Sequence, residues 1–192
     1  MDTSLALVRH GQTDWNLVGR LQGRTDIELN ETGRNQARRL GRNLRNKNWD
    51  LVLASPLGRA QETAALIAEQ IGAPTGPAVP ELIERGFGSL EGRIMAEVSD
   101  VEAAEVNHEL ETHAAILDRA LPALLDLAQR YEGQRVMIVS HGATMRTVRD
   151  ALAGQRLPQA VDNGEVIEID LRRLEELHRQ REESGGKVAL LY

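Results

Sequence analysis

Short apolar runs and amphipathic stretches alternate along this chain. Leu5 to Val8 is an unbroken apolar run closed by Arg9, His10 and Gly11, and Val136 to Val139, within a strand read over Arg135 to Ser140, is a second, closed by Ser140, His141 and Gly142. Short runs bounded by glycine turns read as strands buried on both faces. Asp50 to Ala54 reads as a further strand, and the alternation over Val166 to Leu171 as another. Asn30 suits the N-cap of a helix that buries Ala37, Leu40 and Leu44. Ser55 as N-cap, with Pro56 at the first helical position, predicts a second helix, which Gly72 ends. From Val101 to Arg130 the periodicity is helical, with breaks around Asn107 and Pro122, and Ala143 to Leu152 is helical too. Gln12 to Asn30 is crowded with turn residues and reads as a long ordered loop. Pro74 to Arg93 is loop-like, with a short strand leading into Ile83. The charged stretch Arg172 to Gly186 is expected as a solvated helix or a mobile loop. The apolar Lys187–Tyr192 fits either an edge strand or a homodimer contact.

Strands alternating with helices predict one α/β domain over residues 1–192, a three-layer sandwich around a mostly parallel sheet. In such sheets ligands bind beyond the carboxyl ends of the strands, where the strand order reverses. Both His-Gly pairs follow predicted strand ends. If those strands are neighbours, His10 and His141 face one crevice, and each glycine lets the backbone approach a ligand.

Composition narrows the chemistry. Of 192 residues, 41% are apolar and 27% charged, ordinary for a globular protein, while the 3% of aromatics leave the core to Leu, Val, Ile and Ala. The net charge of −6 argues against a nucleic-acid partner. The absence of cysteine excludes disulfides, thiolate catalysis and cysteine zinc sites. No apolar run approaches the ~20 residues needed to span a bilayer. Arg9 and His10 interrupt the first run, which argues against a cleaved signal peptide. A cytoplasmic protein with no membrane partner is expected.

Arg9 at the end of a buried strand needs an anionic partner, and a guanidinium fork suits phosphate or carboxylate. Arg59 lies near the start of the helix opened by Ser55, whose amino end faces the same crevice. An arginine there repels the helix dipole, and a bound anion accounts for it. Glu84, between an apolar pair and a glycine-rich turn, is a candidate general acid. Each of these residues read alone has an ordinary structural explanation; their convergence does not.

Together the pieces carry a resemblance. The sequence is similar to the histidine phosphatase superfamily, the group that includes cofactor-dependent phosphoglycerate mutase. The similarity runs from Leu5 to about Leu152 and rests on RHGQTDWN (Arg9–Asn16), LQGRTDIELNETGRNQA (Leu21–Ala37), SPLGRAQET (Ser55–Thr63), ERGFGSLEG (Glu84–Gly92) and SHG (Ser140–Gly142). It implies a phosphoglycerate mutase-like fold and a phosphoric monoester hydrolase of the histidine acid phosphatase type. It implies that His10 becomes phosphorylated, that Arg9, Arg59 and His141 form the phosphate pocket, and that Glu84 donates the proton. It implies Asn16, Gln22, Gly23, Phe87 and Gly142 as substrate-binding positions. The expected partner is a small phosphorylated metabolite, with no metal and no cofactor.

Three other readings compete. A mutase must grip its substrate while the phosphoryl group returns, and the span from Gly92 to Arg135 is short and acidic, without a clear basic pair for that grip. Hydrolysis is therefore preferred. A metal hydrolase using His10, Asp14, Glu84 and His141 would place a dication beside two arginines. An inactive binding module is unsupported, because every motif residue is present. His108, His113 and His178 lie outside the motifs and read as surface residues. Substrate choice is expected to rest with the lid segment from Gly92 to His113.

Overall fold

The computed structural model describes residues 2–186, so the expectation for Lys187–Tyr192 lies outside the described residues. Five strands form one sheet: β1 (Ser4–Arg9), β2 (Leu51–Ala54), β3 (Thr75–Ala78), β4 (Arg135–Ser140) and β5 (Val166–Glu168). Their spatial order is β3-β2-β4-β1-β5. The pairs β1–β4, β2–β4 and β2–β3 are parallel, and only β5, on the edge beside β1, is antiparallel. The helices are α1 (Asp14–Leu17), α2 (Glu31–Leu44), α3 (Gly58–Ile71), α4 (Asp100–Glu105), α5 (His113–Arg130), α6 (Gly142–Ala153) and α7 (Leu171–Glu183). None of them is long and apolar enough to cross a membrane.

The unbroken apolar runs follow from burial on both sheet faces. On one face Leu5, Leu7, Leu53, Val136 and Ile138 pack against Leu121 and Leu124 of α5, Met145 and Val148 of α6, and Leu174 of α7. On the other, Ala6, Val8, Val52, Met137 and Val139 pack against Ala37 of α2 and Ala60, Ala64 and Ile67 of α3. The chain leaving β1 therefore goes to one face and the chain leaving its neighbour β4 goes to the other. Between these diverging connections lies the crevice of a topological switch point.

Most predicted elements match, and the departures have identifiable causes. Helix α3 starts at Gly58, not at Pro56, and its N-cap is Leu57 without a side-chain bond. The Ser55 hydroxyl is engaged by His141 instead, and Asp26 caps the helix from the long loop, its Oδ2 accepting from Gly58 N at 2.7 Å. The strand expected before Ile83 lies earlier, as β3, and a single 3-10 turn over Pro80–Leu82 follows. Pro77 is tolerated because β3 is an edge strand. Pro122 does not break α5: it lies on the exposed face, one turn after the equally exposed Asp118 whose carbonyl it leaves without a helical donor. Strand β5 stops at Glu168 because Asp170 caps α7, accepting from Arg173 N at 3.1 Å. The charged stretch is neither wholly solvated nor a loop. It forms α7, which buries Leu174 and Leu177 and ties Arg181 to Asp118 at 2.5 Å.

The loop after β1 is clamped onto the first turn of α2. A Cβ at Gly33 would fall 2.1 Å from the Gln12 carbonyl oxygen, and one at Gly11 would fall 2.4 Å from the Gly33 carbonyl oxygen. Gly33→Ala is therefore expected to cost ~1–3 kcal/mol, as overpacking does. For a chain of this size that is roughly 2–4 °C of melting temperature per kcal/mol. Thermal unfolding followed by circular dichroism checks it, and an unchanged midpoint contradicts so close a contact.

Candidate active site

Parallel pairing places Arg9 opposite Ser140, so the next residues on each strand, His10 and His141, emerge side by side. Their ring centroids are 5.2 Å apart and the rings are tilted by 56°. The Nδ1 of His10 lies 2.7 Å from the carbonyl oxygen of Gly11. A carbonyl only accepts, so Nδ1 carries the proton and Nε2 presents a lone pair. Burial, then Arg59 and Arg9, push the pKa of His10 well below its ordinary value, which keeps the ring neutral.

His141 is fully buried, and its Nε2 lies 2.5 Å from Ser55 Oγ. That oxygen also accepts from the amide of Leu57 at 3.4 Å; with the hydroxyl proton assigned to His141 Nε2, Nδ1 carries the ring proton. Burial, then the neighbouring His10, Arg59, Arg9 and Arg119, push the pKa of His141 well below its ordinary value as well.

Two arginines complete the group. Arg59 is 0% exposed. Its Nη1 donates to Thr25 O and its Nη2 to Gly23 O, both at 2.7 Å, and Asp26 stands 3.6 Å away. Arg9 donates from Nη1 to Val161 O at 2.5 Å. Burial lowers the pKa of both guanidiniums, with the nearby Glu84 acting in the opposite sense. Arg9 Nε, Arg59 Nε and His141 Nδ1 are buried donors without a partner among the described residues. Leaving such donors unmet costs ~1–3 kcal/mol each. Arg and His N–H groups of this kind suit an oxyanion, and a tetrahedral one has oxygens enough for three donors.

Glu84 sits over the amino end of α6. Its Oε1 accepts from Arg85 N at 2.8 Å and Thr144 N at 3.0 Å, and its Oε2 from Ala143 N at 3.2 Å. Oε2 is the less occupied oxygen, so it is where a proton can sit. Ser140 Oγ donates to Leu82 O and Thr144 Oγ1 to Ile83 O, each at 2.8 Å, which pins this loop to β4 and α6.

Arg9, His10 and Glu84 open on a cavity of about 580 Å³. Asn16, Gln22, Gly23, Phe87 and Gly142 line it too, while the fully buried Arg59 and His141 lie behind that lining. Gln22 accepts with its amide oxygen from Thr13 Oγ1 at 2.9 Å, which leaves its nitrogen as a donor. Gly23 has φ +55°, and a Cβ there would strike the Glu91 carboxylate at 2.0 Å. Glu91 is a latch that the sequence does not announce. Burial works against its charge, but bonds from Thr25, Arg24 and Phe87 hold its pKa below the ordinary value. It thereby fixes the loop whose carbonyls hold Arg59.

The expectation for His113 is corrected: it is half-buried and lines the cavity, with Nδ1 2.9 Å from Thr147 Oγ1. The segment expected to lack a basic grip, Gly92–Arg135, does lack one at the cavity, but Arg20, Arg85, Arg146 and Arg156 reach the cavity from elsewhere. Ala143, Arg146, Thr147 and Asp150 share one face of α6, a spacing of three, four and seven residues that was legible once the helix start was known. The metal arrangement fails on geometry. Asp14 is exposed and bonded to Asn30 at 3.0 Å, and no three His, Asp or Glu side chains gather as ligands among the described residues.

Comparison with known proteins shows the family. Residues 5–182 match the family model of the histidine phosphatase superfamily (branch 1). The chain is 37% identical over 152 residues to the uncharacterized phosphatase PhoE of Bacillus subtilis (strain 168), covering 79% of this chain and 78% of that one. It is 33% identical over 180 residues to a 2,3-bisphosphoglycerate-dependent phosphoglycerate mutase of Methylobacterium sp. (strain 4-46), covering 82% and 86%. The solved structure of a mycobacterial glucosyl-3-phosphoglycerate phosphatase with VO3 superposes with a TM-score of 0.75 at 27% identity, covering 86% and 90%.

Two buried neutral histidines make stability depend on pH. Their folded pKa values lie well below the ordinary 6.5, so below about that pH the unfolded chain takes up protons that the folded chain does not. Stability is full above pH ~6.5 and falls as pH drops from there toward the folded values. The melting temperature should fall between about pH 7.5 and 5, and less steeply in His141→Asn. Equal slopes in the two proteins would exclude His141 as a source.

Proposed function

The chain belongs to the histidine phosphatase superfamily, and within it we propose that this protein is a phosphomonoester phosphatase working through a phosphohistidine on His10. What carries the reading is the unpartnered donor set, Arg9 Nε, Arg59 Nε and His141 Nδ1, around a histidine that is held neutral. Each group then has a task. The phosphoryl group of a small phosphorylated metabolite sits among the donors, which neutralise its charge and draw density from phosphorus. His10 Nε2 attacks phosphorus as the bond to the leaving oxygen breaks. Glu84, protonated on Oε2, gives its proton to that oxygen, and the alcohol departs. Water then attacks the phosphohistidine while the Glu84 carboxylate takes its proton. Inorganic phosphate leaves, and His10 and Glu84 return to their starting states. A carboxylic proton donor facing a histidine nucleophile is the plan of the histidine acid phosphatase type. Protein groups alone neutralise the phosphate in this scheme, so the proposal includes no metal.

Brief incubation with labelled substrate should give a phosphoprotein that is acid-labile and base-stable. Label retained in His10→Ala would sink the assignment. Assaying phosphate release beside phosphoglycerate isomerisation separates hydrolysis from mutase transfer, and hydrolysis should dominate.

Glu84→Gln removes the proton and keeps the size. General acid catalysis contributes ~10²–10⁴-fold, and more for a poor leaving group. The variant should lose much of its rate on an alkyl phosphate, and far less in the burst of phosphoenzyme formation from p-nitrophenyl phosphate. Equal losses on both would assign Glu84 to binding or structure.

A further inference from the structure

Besides Arg9, the cavity is lined by Arg20, Arg85, Arg146 and Arg156. Of the acids lining it, Asp150 is already committed: Arg149 reaches its Oδ1 with Nε at 3.0 Å and Nη2 at 2.9 Å. Arg146 comes no nearer than 3.7 Å to the other oxygen, outside hydrogen-bond reach. Arg85 donates Nε to the Glu111 carbonyl at 2.7 Å and lies over the Phe87 ring; the charges of Glu111 and Glu84 act on it, but it forms no ion pair with a carboxylate among the described residues. Arg156, at the exposed rim, forms no ion pair with a carboxylate among the described residues. His113 lines the same cavity, and its pKa is lowered by burial first and then by Arg85, Arg146 and Arg156, with Asp150 acting in the opposite sense. In a chain of net charge −6, this is a local excess of positive charge inside a cavity. The phosphoryl group does not account for it, because the donors around His10 already serve that group.

We propose that the substrate carries a second anionic group, a carboxylate or a second phosphate, gripped by Arg85, Arg146 and Arg156. The inference rests on the phosphatase reading and adds the substrate class. Planar guanidinium forks bind such oxyanions in pairs of parallel bonds, and the half-buried setting of Arg85 and Arg146 strengthens theirs. The three arginines come from two parts of the fold, the acid loop at Arg85 and α6 with the turn after it. The grip therefore assembles only in the folded chain.

The test uses two matched pairs of substrates on the full chain. One pair, 3-phosphoglycerate and glycerol 3-phosphate, differs by a carboxylate. The other, fructose 1,6-bisphosphate and fructose 6-phosphate, differs by a phosphate. The doubly anionic member of at least one pair should have the higher kcat/KM by ~10-fold or more, and the pair that shows it identifies the group. In Arg146→Gln and Arg156→Gln the ratio should shrink, chiefly through KM, with more loss on the doubly anionic substrate than on p-nitrophenyl phosphate. Arg156 is exposed, so its variant keeps the test open if Arg146→Gln does not fold. Ratios near one in both pairs, with p-nitrophenyl phosphate turned over, overturn the second-anion site and leave the phosphatase reading intact. A high ratio that neither variant reduces overturns the assignment to these arginines. No turnover of any ester removes the phosphatase reading, and this inference with it.

Discussion

A fully buried guanidinium, that of Arg59, sets the terms for the rest of the site. A charge taken out of water is costly unless it is paired or fully hydrogen-bonded. The nearest carboxylate, Asp26, stands at 3.6 Å, so backbone carbonyls do most of the holding. Those carbonyls belong to Gly23 and Thr25, in a loop with no regular structure of its own. The loop must therefore be fixed by other means. Glu91 binds the amides of Arg24 and Thr25 and the Thr25 hydroxyl, at 3.0, 3.0 and 2.7 Å. Asp26 meanwhile caps α3, the helix that carries Arg59 itself. One buried charge thus ties the long loop, the acid loop and α3 into a single frame.

The same charge governs the nucleophile. A histidine in ordinary surroundings would be partly protonated at slightly acid pH, and its cation cannot attack phosphorus. Beside Arg59 and Arg9, in a dry setting, the neutral form wins, and the Gly11 carbonyl decides which nitrogen is left open. Positive charge therefore does two things that reinforce each other. It keeps His10 nucleophilic, and it draws the phosphoryl group to it.

The central strands were legible because burial on both faces leaves no room for polar alternation. The pairing of His10 with His141 followed once those strands were taken as neighbours. Residues whose roles depend on a distant partner were not legible in the same way. Ser55 looks like a helix cap in sequence, and only the fold shows its hydroxyl spent on His141, 86 positions away. His113 looks like a surface residue because its contact, Thr147, is 34 positions downstream on another helix. Glu91 carried a motif position but no visible task, since all its side-chain bonds but the one from Phe87 come from a loop more than sixty residues earlier. The charged α7 was underestimated because Leu174 and Leu177 are few, though correctly spaced to pack.

The two ends of the cavity differ in what fixes them. Arg9, His10 and His141 stand at the ends of central strands, where register allows no independent movement, and Arg59 is locked by carbonyls. Glu84 is bonded to three amides. The other end is built on one face of α6, on Arg85 and on residues such as Met95 and Arg156, which are exposed. Changing a side chain there alters no strand register and empties no core. A frame of this kind can keep one phosphoryl chemistry while its far end is rebuilt for a different leaving group. The sequence motifs cluster at the rigid end for that reason: there, neighbouring backbone leaves room for few other residues.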